Sequence, residues 1–456
     1  MPASSEKILE QMAGSPAVAL NRTVKIAREF SAQAPVRKAR RFWHVLGPGL
    51  TTGAADDDPS GIATYSQQGA TYGLQLLWLA PFTFPLMAIV QEMCARIGLV
   101  TGRGLAANIR LHFPKTLLYL CTLLLLFTNV LNLGADLGAM AKATQLVFPQ
   151  SSFFLLVFGF TIVTLLLQIF TSYKVYSRYL KYLALTLVAY IFSALNIPHL
   201  NWGHIMTSAL IPSLSFSKNQ LILITGILGT TISPYLFFWQ PAQEVEEEIL
   251  KGKSTLKLRQ EESTPHEIRN MRLDVWSGMF VSNLVMFFII VACAATLYSA
   301  GITNINTAAD AAAALRPLAG ENAYLLFALG VIGAGLLAIP VLAGSASYAI
   351  SEALGWKFGL NRKLGEASAF YGIIIIAMIV GFAINFIGLD PIKALIYSAI
   401  VNGLIAPVIL FFIVSISSSA KIMGKWANHP LVSALGWFIT AIMSLSAVAT
   451  LYSFLP

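Results

Sequence analysis

Three consecutive aspartates precede a proline inside a long apolar stretch, which reads Gly53-Ala-Ala-Asp56-Asp57-Asp58-Pro59-Ser60-Gly61. An ionised carboxylate near the centre of a bilayer is costly, at roughly 2.5–3.5 kcal/mol on insertion scales. A bound cation offsets that free energy, so these residues indicate an ion-binding site within a membrane. Asp58, directly before the proline, is the expected ligand. For Asp56 and Asp57 two roles stay open: coordination of the ion, or hydrogen bonding to neighbouring helices or protonation.

A second apolar stretch carries a similar interruption, Gly229-Thr230-Thr231-Ile232-Ser233-Pro234-Tyr235. Proline lacks a backbone donor and clashes with the carbonyl four residues earlier, so each motif predicts a local break in a helix. Unwound backbone is tolerated at membrane depth only where protein or water covers it. Both breaks are therefore expected to face an internal cavity, where freed carbonyls and half-helix ends are available to an ion.

The donor atoms at the two breaks are all oxygens. Residues 46–70 and 219–246 contain no Met, Cys or His. Thioether, thiolate and imidazole suit soft or borderline metals, whereas Mg²⁺ and Ca²⁺ take oxygen ligands. Mg²⁺ also sheds its water reluctantly, and the small residues Gly61 and Ser233 leave room for a partly hydrated ion. The residues therefore favour a hard divalent cation, with Ca²⁺ and Mn²⁺ as alternatives to Mg²⁺.

These motifs lie in a chain with the composition of a membrane protein. Of its 456 residues, 56% are hydrophobic and 11% are charged, against about 25% charged in soluble proteins. This composition excludes a soluble enzyme. Apolar runs predict eleven spans, at 46–70, 76–98, 116–144, 151–171, 177–196, 219–246, 276–300, 323–354, 367–388, 392–416 and 430–454. They form one transmembrane domain, 46–456, after a basic N-terminal tail, 1–45.

The basic residues predict the orientation of these spans. The loops near 70–75 and 145–150 carry no Lys or Arg, and three further alternate loops carry only Lys218 and Arg316. The opposite loops and the tail are rich in both residue types. The positive-inside rule therefore predicts a cytoplasmic N-terminus and, with eleven spans, an outside C-terminus. The tail has no apolar core of a secretory signal.

The two breaks also predict an internal repeat. Spans 1 and 6 are five spans apart, as expected if residues 46–196 and 219–416 form two five-helix repeats of opposite topology, with an extra helix at 430–454. In that architecture the substrate binds near the midplane, between the two discontinuous helices. The expected fold is therefore an all-α membrane bundle in which helices 1 and 6 are broken.

At these positions the sequence resembles the NRAMP family of divalent-metal transporters. The resemblance lies in Gly47-Pro-Gly49, Asp58-Pro-Ser-Gly61, Ala95-Arg-Ile-Gly-Leu-Val-Thr-Gly102, Leu180-Lys-Tyr-Leu-Ala-Leu-Thr-Leu187 and Thr231-Ile-Ser-Pro234. It implies a LeuT-like fold. It also implies that metal is bound by an Asp and an Asn of a D-P-G-N motif, by a Met of an M-P-H-N motif, and by the carbonyls three residues before that Asp and that Met.

Carried onto this sequence, the family pattern keeps its Asp as Asp58 and implies the carbonyls of Ala55 and Thr230. The Asn position is Gly61, and the Met position is Ser233. The His that follows the Met is replaced by Tyr235, and Asn402 is a substitute for a family Gln expected near Ala399. Because the Met sulfur is absent, these departures resemble the NRAMP-related magnesium transporter branch.

The expected function is import of a divalent cation, above all Mg²⁺, by alternating access with weak or no proton coupling. Family members are typically proton symporters that use the replaced His and acids in span 3. Span 3 offers Asn129, Asn132 and Asp136 on one helix face, which we expect to bond neighbouring helices.

Three rival functions stay open at this stage. They are a proton-coupled Mn²⁺/Fe²⁺ symporter, an amino-acid transporter, whose substrate carboxylate three aspartates would repel, and an intramembrane aspartic protease using Asp58 and Asp136. The expected partners are the cation and the lipid bilayer, without resident cofactor, nucleic acid or obligate protein partner. The resemblance implies a prokaryotic cytoplasmic membrane.

Overall fold

The apolar runs form long helices, and the described residues contain no strand. The computed structural model describes residues 47–171, 175, 188–198, 200–215, 217–261, 263–316, 320 and 323–454. The predicted tail, most of predicted span 5 and the stretch 180–187 lie outside the described residues.

The helices are numbered here in chain order. They are α1 Pro48–Asp56, α2 Pro59–Tyr72, α3 Leu79–Thr101, α4 Leu105–His112, α5 Lys115–Val147, α6 Phe153–Phe170, α7 Val188–Leu195, α8 Trp202–Leu210, α9 Lys218–Thr231, α10 Pro234–Leu250, α11 Leu256–Glu261, α12 Pro265–Cys293, α13 Ala308–Ala313, α14 Ala323–Leu354, α15 Ser368–Ile384, α16 Pro391–Ser418, α17 Ala420–Met423 and α18 Pro430–Ser453. A π-helical turn, Ala294–Tyr298, follows α12, and a 3-10 turn, Gly424–Trp426, follows α17.

Both predicted breaks are present. In span 1, α1 ends at Asp56 and α2 begins at Pro59, while in span 6, α9 ends at Thr231 and α10 begins at Pro234. Each proline is the first residue of the second half-helix, where its fixed φ suits the helix and its missing N–H would have no partner in any case. Local sequence chemistry therefore determines where the two helices are interrupted.

Eight stretches of the described chain are long and apolar enough to cross a membrane, with α9 and α10 counted together. The two halves of span 1 are too short to count separately, with 9 and 14 residues, and α15 is a shorter apolar helix. Predicted span 7 began at residue 276, but α12 begins at Pro265. A capping box between Thr264 and Glu267 starts this helix in polar sequence, so hydropathy marked only its apolar part.

Helix α1 packs directly on the backbone of α12. A Cβ added to Gly53 would overlap the carbonyl group of Gly278, and one added to Gly278 would overlap that of Gly49. The carboxylate of Asp274 accepts hydrogen bonds from the backbone N–H groups of Gly49, at 2.7 Å, and Leu50, at 3.1 Å. An anion at the first turn stabilises a helix, so α12 caps α1 as well as supporting it.

Large apolar side chains are exposed along the outer helices. On α6, α15 and α18 they include Phe154, Leu155, Phe158, Ile376, Ile379, Leu445 and Val448. Such faces suit contact with lipid tails, while the two broken helices lie inside the bundle with every residue of α1 buried. The arrangement fits an integral multi-pass membrane protein.

The glycine contact between α1 and α12 generates a stability prediction. We expect Gly278→Ala to lower the midpoint of thermal unfolding markedly, because the added methyl group forces two helix backbones apart. Gly372→Ala on α15 is the matched control, since a Cβ there meets no atom within 4 Å and Ala is the better helix former. Differential scanning fluorimetry of both variants in detergent checks this. Equal midpoints for the two variants would contradict the packing argument.

Candidate metal-binding site between the broken helices

The carboxylate of Asp58 is the centre of a hydrogen-bond network at the span 1 break. Its Oδ1 accepts from the Ser60 hydroxyl at 2.6 Å and from the backbone N–H of Gly61 at 2.7 Å. Its Oδ2 accepts from the Asn132 side-chain amide at 2.7 Å and, more weakly, from the Tyr235 hydroxyl at 3.4 Å. The residue is 1% exposed. The break itself supplies two of these donors, because Asp58 caps the start of α2.

Asn132 links this carboxylate to two further helices. It lies on α5, and its side-chain carbonyl accepts from the hydroxyl of Ser398 on α16 at 2.5 Å. Asn129, one turn earlier, instead donates to the Leu342 carbonyl at 2.9 Å and to the Ser345 hydroxyl at 2.7 Å on α14. The two asparagines of the polar face predicted on span 3 therefore have different partners, and of these two Asn132 is the one that reaches the break.

The two carbonyls implied by the family pattern both accept hydrogen bonds from span 6. The Tyr235 hydroxyl donates to the Ala55 carbonyl at 2.7 Å. The Ser233 hydroxyl donates to the Thr230 carbonyl at 2.5 Å, and more weakly to the Gly229 carbonyl at 3.3 Å. The residues that replace the family His and Met thus bring a hydroxyl to each carbonyl.

The neighbouring aspartates differ from each other. Asp56 accepts from the hydroxyl of Ser282 on α12 at 3.1 Å, and from that of Ser233 at 3.4 Å. Asp56 thus hydrogen-bonds a neighbouring helix, and coordination of an ion by Asp56 stays a prediction. Asp57 is fully buried near the Ser282 hydroxyl, and neither of its oxygens makes a hydrogen bond of normal geometry in the described part of the chain. Asp136 on α5 is buried and unpartnered in the same way.

Gly61 and Asn402 complete the predicted set. A Cβ at Gly61 would lie 3.1 Å from the Thr230 hydroxyl oxygen, so the start of α2 closely approaches the end of α9. Asn402 is 1% exposed, and its amide has no hydrogen-bond partner among the described residues. It lies one turn after Ser398 on α16 and so shares the face that reaches Asn132.

The structure therefore brings together Asp58, Ala55, Gly61, Thr230, Ser233 and Tyr235. It adds Ser60 and Ser398, to which sequence reasoning gave no role, and it shows that Asn132, expected only to bond a neighbouring helix, binds Asp58. Ser60 and Asn132 bind Asp58 directly, whereas Ser398 binds Asn132. The only signal for them was polarity within apolar spans. The nearby donors are oxygen atoms and amides, and no group of three or more His, Cys, Asp or Glu side chains is placed to hold a metal among the residues described.

A vestibule of about 400 Å³ lies between α2, α9 and α16, the helices that carry Gly61, Thr230 and Asn402. Gln67, Asn219, Asn304 and Asn306 give it a polar lining, to which Lys393 adds a positive charge. Ile400 also lines it, and a Cβ added to Gly226 would lie 3.3 Å from the Ile400 side chain. Helices α9 and α16 therefore pack closely beside the vestibule.

The sequence was compared with known proteins. The family model described as natural resistance-associated macrophage protein-like (NRAMP) matches residues 49–453. The chain belongs to the NRAMP family. Members of this family are metal transporters and not enzymes, which excludes the intramembrane protease. This NRAMP protein is 26% identical over 414 residues to the divalent metal cation transporter MntH of Aeromonas hydrophila, covering 89% of this chain and 95% of that protein.

Solved structures similar to this NRAMP protein confirm the predicted fold class. The manganese transporter of Eremococcus coleocola, in complex with an aromatic bis-isothiourea substituted compound, matches with a TM-score of 0.69 and 19% identity over 89% of this chain and 86% of that one. The nucleobase-cation-symport-1 family transporter MHP1 matches with a TM-score of 0.52 and 14% identity over 90% and 91%. The LeuT-like all-α fold is therefore shared beyond the family.

The divided polar face of α5 generates a prediction about cation binding. We expect Asn132→Ala to weaken binding about tenfold, because an ionised Asp58 loses a buried hydrogen bond worth roughly 1.5–3 kcal/mol. Asn129→Ala removes the same group one turn away, and we expect it to lower thermal stability without changing affinity. Isothermal titration with Mg²⁺ and Mn²⁺ measures both. If Asn129→Ala lost as much affinity as Asn132→Ala, the hydrogen bond from Asn132 to Asp58 would not be the cause of the loss.

Proposed function

We propose that this NRAMP-family protein imports Mg²⁺ into the cytoplasm as a partly hydrated ion, by alternating access and with little or no proton coupling. The observation that carries the proposal is the absence of sulfur and imidazole at both breaks, where Ser233 and Tyr235 occupy the family's Met and His positions. Without a soft ligand, a transition metal loses its advantage over a hard cation. Oxygen donors remain, and these suit Mg²⁺.

In the proposed site, Asp58 supplies the negative charge, and the carbonyls of Ala55 and Thr230 supply dipoles. Ser233 and Asn402 bind the ion directly or through its water, while Gly61 leaves space and Tyr235 lines the pathway. The hydrogen bonds at the break support this set, since the hydroxyls of Tyr235 and Ser233 lie against the two carbonyls that would face the ion.

The unpartnered amide of Asn402 supports its place in this set. A buried polar group without a hydrogen bond costs roughly 1–3 kcal/mol, and its side-chain oxygen is a suitable ligand for a cation or its water. It shares a helix face with Ser398, which reaches Asp58 through Asn132.

Contacts on α5 support weak coupling. A proton relay needs successive titratable groups, but the α5 face holds two amides that are already hydrogen-bonded, Asn129 and Asn132. Asp136 is the acid on that face, and Tyr235 stands in place of the histidine. The basic loops predict that the face of α4 and α11 is cytoplasmic, so import would release the ion at that face.

The second candidate is Mn²⁺ transport. It is favoured by the names of the similar proteins, since MntH is called a divalent metal cation transporter and the Eremococcus coleocola protein a manganese transporter. Carboxylate and water also suit Mn²⁺. The two candidates predict different effects on ion selectivity when a sulfur ligand is introduced at position 233.

Substitution of Ser233 separates the two candidates. We expect Ser233→Met to gain Mn²⁺ and Cd²⁺ transport relative to Mg²⁺, because a thioether adds a soft ligand. Ser233→Leu is the matched control, since it adds a side chain of similar volume without sulfur. Uptake into proteoliposomes with ion-selective dyes measures all three ions. If the wild type already prefers Mn²⁺ and Ser233→Met leaves that preference unchanged, the Mg²⁺ proposal fails.

Proton coupling is tested in the same vesicles. We expect inward Mg²⁺ gradients to drive Mg²⁺ uptake without acidifying the lumen, as reported by a trapped pH dye, because the α5 face beside the site holds two hydrogen-bonded amides, Asn129 and Asn132, and one acid, Asp136. Asp58→Ala is the control for uptake through the site and should abolish it. Robust acidification that accompanies Mg²⁺ entry and disappears in Asp136→Asn would show that Asp136 carries a coupled proton.

A further inference from the structure

A basic pocket lies at the end of the bundle that carries α4, α11 and α17, away from the broken helices. Its volume is about 460 Å³, within the range of small-molecule pockets. Its lining residues are Val100, Thr101, Arg103, Asn108, His112, Gln260, Ser263, Lys421, Ile422, Met423, Gly424, Lys425 and Trp426. Three separate connections between spans therefore contribute to one cavity.

The charges of this pocket have one sign. Arg103, Lys421 and Lys425 bring three permanent positive charges, and His112 adds a titratable group. None of the described lining residues is acidic. Within the part of the chain that the structure describes, Arg103 and Lys421 form no ion pair. The positive side chains therefore converge in a pocket whose described lining carries no negative charge.

The repulsion among these groups acts within the pocket. Partial burial, and then the charges of Lys421 and Arg103, lower the pKa of His112. The positive groups of α4, of the α3–α4 turn and of α17 are thus close enough to repel one another. Such a concentration of positive potential attracts an anion.

Neutral side chains hold the walls of the pocket in place. Asn108 donates to the Thr101 hydroxyl at 2.9 Å, Gln260 donates to the Thr101 carbonyl at 3.0 Å, and Ser263 donates to the Leu99 carbonyl at 3.0 Å. These bonds tie α4 and the α11–α12 connection to the end of α3. On the opposite wall, the Lys425 ammonium lies 5.2 Å from the centre of the Trp426 ring. The basic groups therefore lie in a cavity whose walls are fixed by hydrogen bonds.

We propose that this pocket binds a phosphate group, as a regulatory or structural ligand separate from the transported cation. A phosphate group carries up to two charges and several acceptor oxygens, and combined Arg and Lys donors match it better than they match a single carboxylate. Two sources share this chemistry: a soluble phosphate compound and the headgroup of an anionic phospholipid. The positive-inside pattern predicts that the pocket faces the cytoplasm, where both are present.

The test uses the full-length protein in nanodiscs. One arm titrates inorganic phosphate and ATP by isothermal calorimetry in nanodiscs of neutral phosphatidylcholine. The other uses nanodiscs of phosphatidylcholine with added phosphatidylglycerol and measures retention of the phosphatidylglycerol by native mass spectrometry. The double variant Arg103→Gln/Lys421→Gln removes two pocket charges. The double variant Lys357→Gln/Lys363→Gln removes two exposed charges from the connection between α14 and α15 and is the matched control.

We expect the wild type to bind in at least one arm, and the pocket variant to bind about tenfold more weakly or not at all, as fits the loss of two charge-assisted contacts. The control should match the wild type. Binding in one arm alone identifies the source, and binding in both shows that the phosphate group itself is recognised. No saturable binding in either arm, or equal losses in the two double variants, overturns the proposal. The single variant Lys421→Gln, at an exposed position, repeats the test if the double variant does not fold.

Discussion

A carboxylate buried between two interrupted helices is the constraint on which the rest of the site depends. Moving an ionised carboxylate out of water costs several kcal/mol unless donors surround it. Asp58 receives three close donors, two from the first turn of its own half-helix and one from α5, and the Tyr235 hydroxyl of α10 lies 3.4 Å away. The break therefore buries the Asp58 carboxylate and also supplies two of the three close donors that stabilise it.

The half-helices around this carboxylate rest on partners through glycine. Helix α1 lies on α12 through Gly53 and Gly278, and α9 lies on α16 through Gly229 and Gly403. Backbones that meet without side chains between them pack closely, as small-residue contacts do between membrane helices. The first half of each broken span thus lies directly on the backbone of another helix, which fixes its position closely.

The sequence predicted many of the residues at the site but not the hydrogen bonds between them. The prolines placed both breaks, and the family pattern placed Ala55, Thr230 and Ser233 beside Asp58. It did not place the hydroxyls of Tyr235 and Ser233 on the two carbonyls, because a hydroxyl direction depends on the neighbouring backbone. It also left Asp56 open, and the contact of Asp56 with Ser282 on α12 is visible only in the tertiary structure. Hydropathy likewise missed the first turns of α12, because a polar helix start contributes nothing to an apolar pattern.

Composition and local chemistry alone determined the membrane class, the broken helices and the anionic residue at the first break. These properties depend on residues that are near one another in the chain. Only the tertiary structure showed that Asn132 donates to Asp58, because the two residues are 74 positions apart in the chain. Asn129 lies on the same helix face as Asn132 but hydrogen-bonds another helix. The period of a helix shows which residues point the same way, but only packing shows what each of them meets.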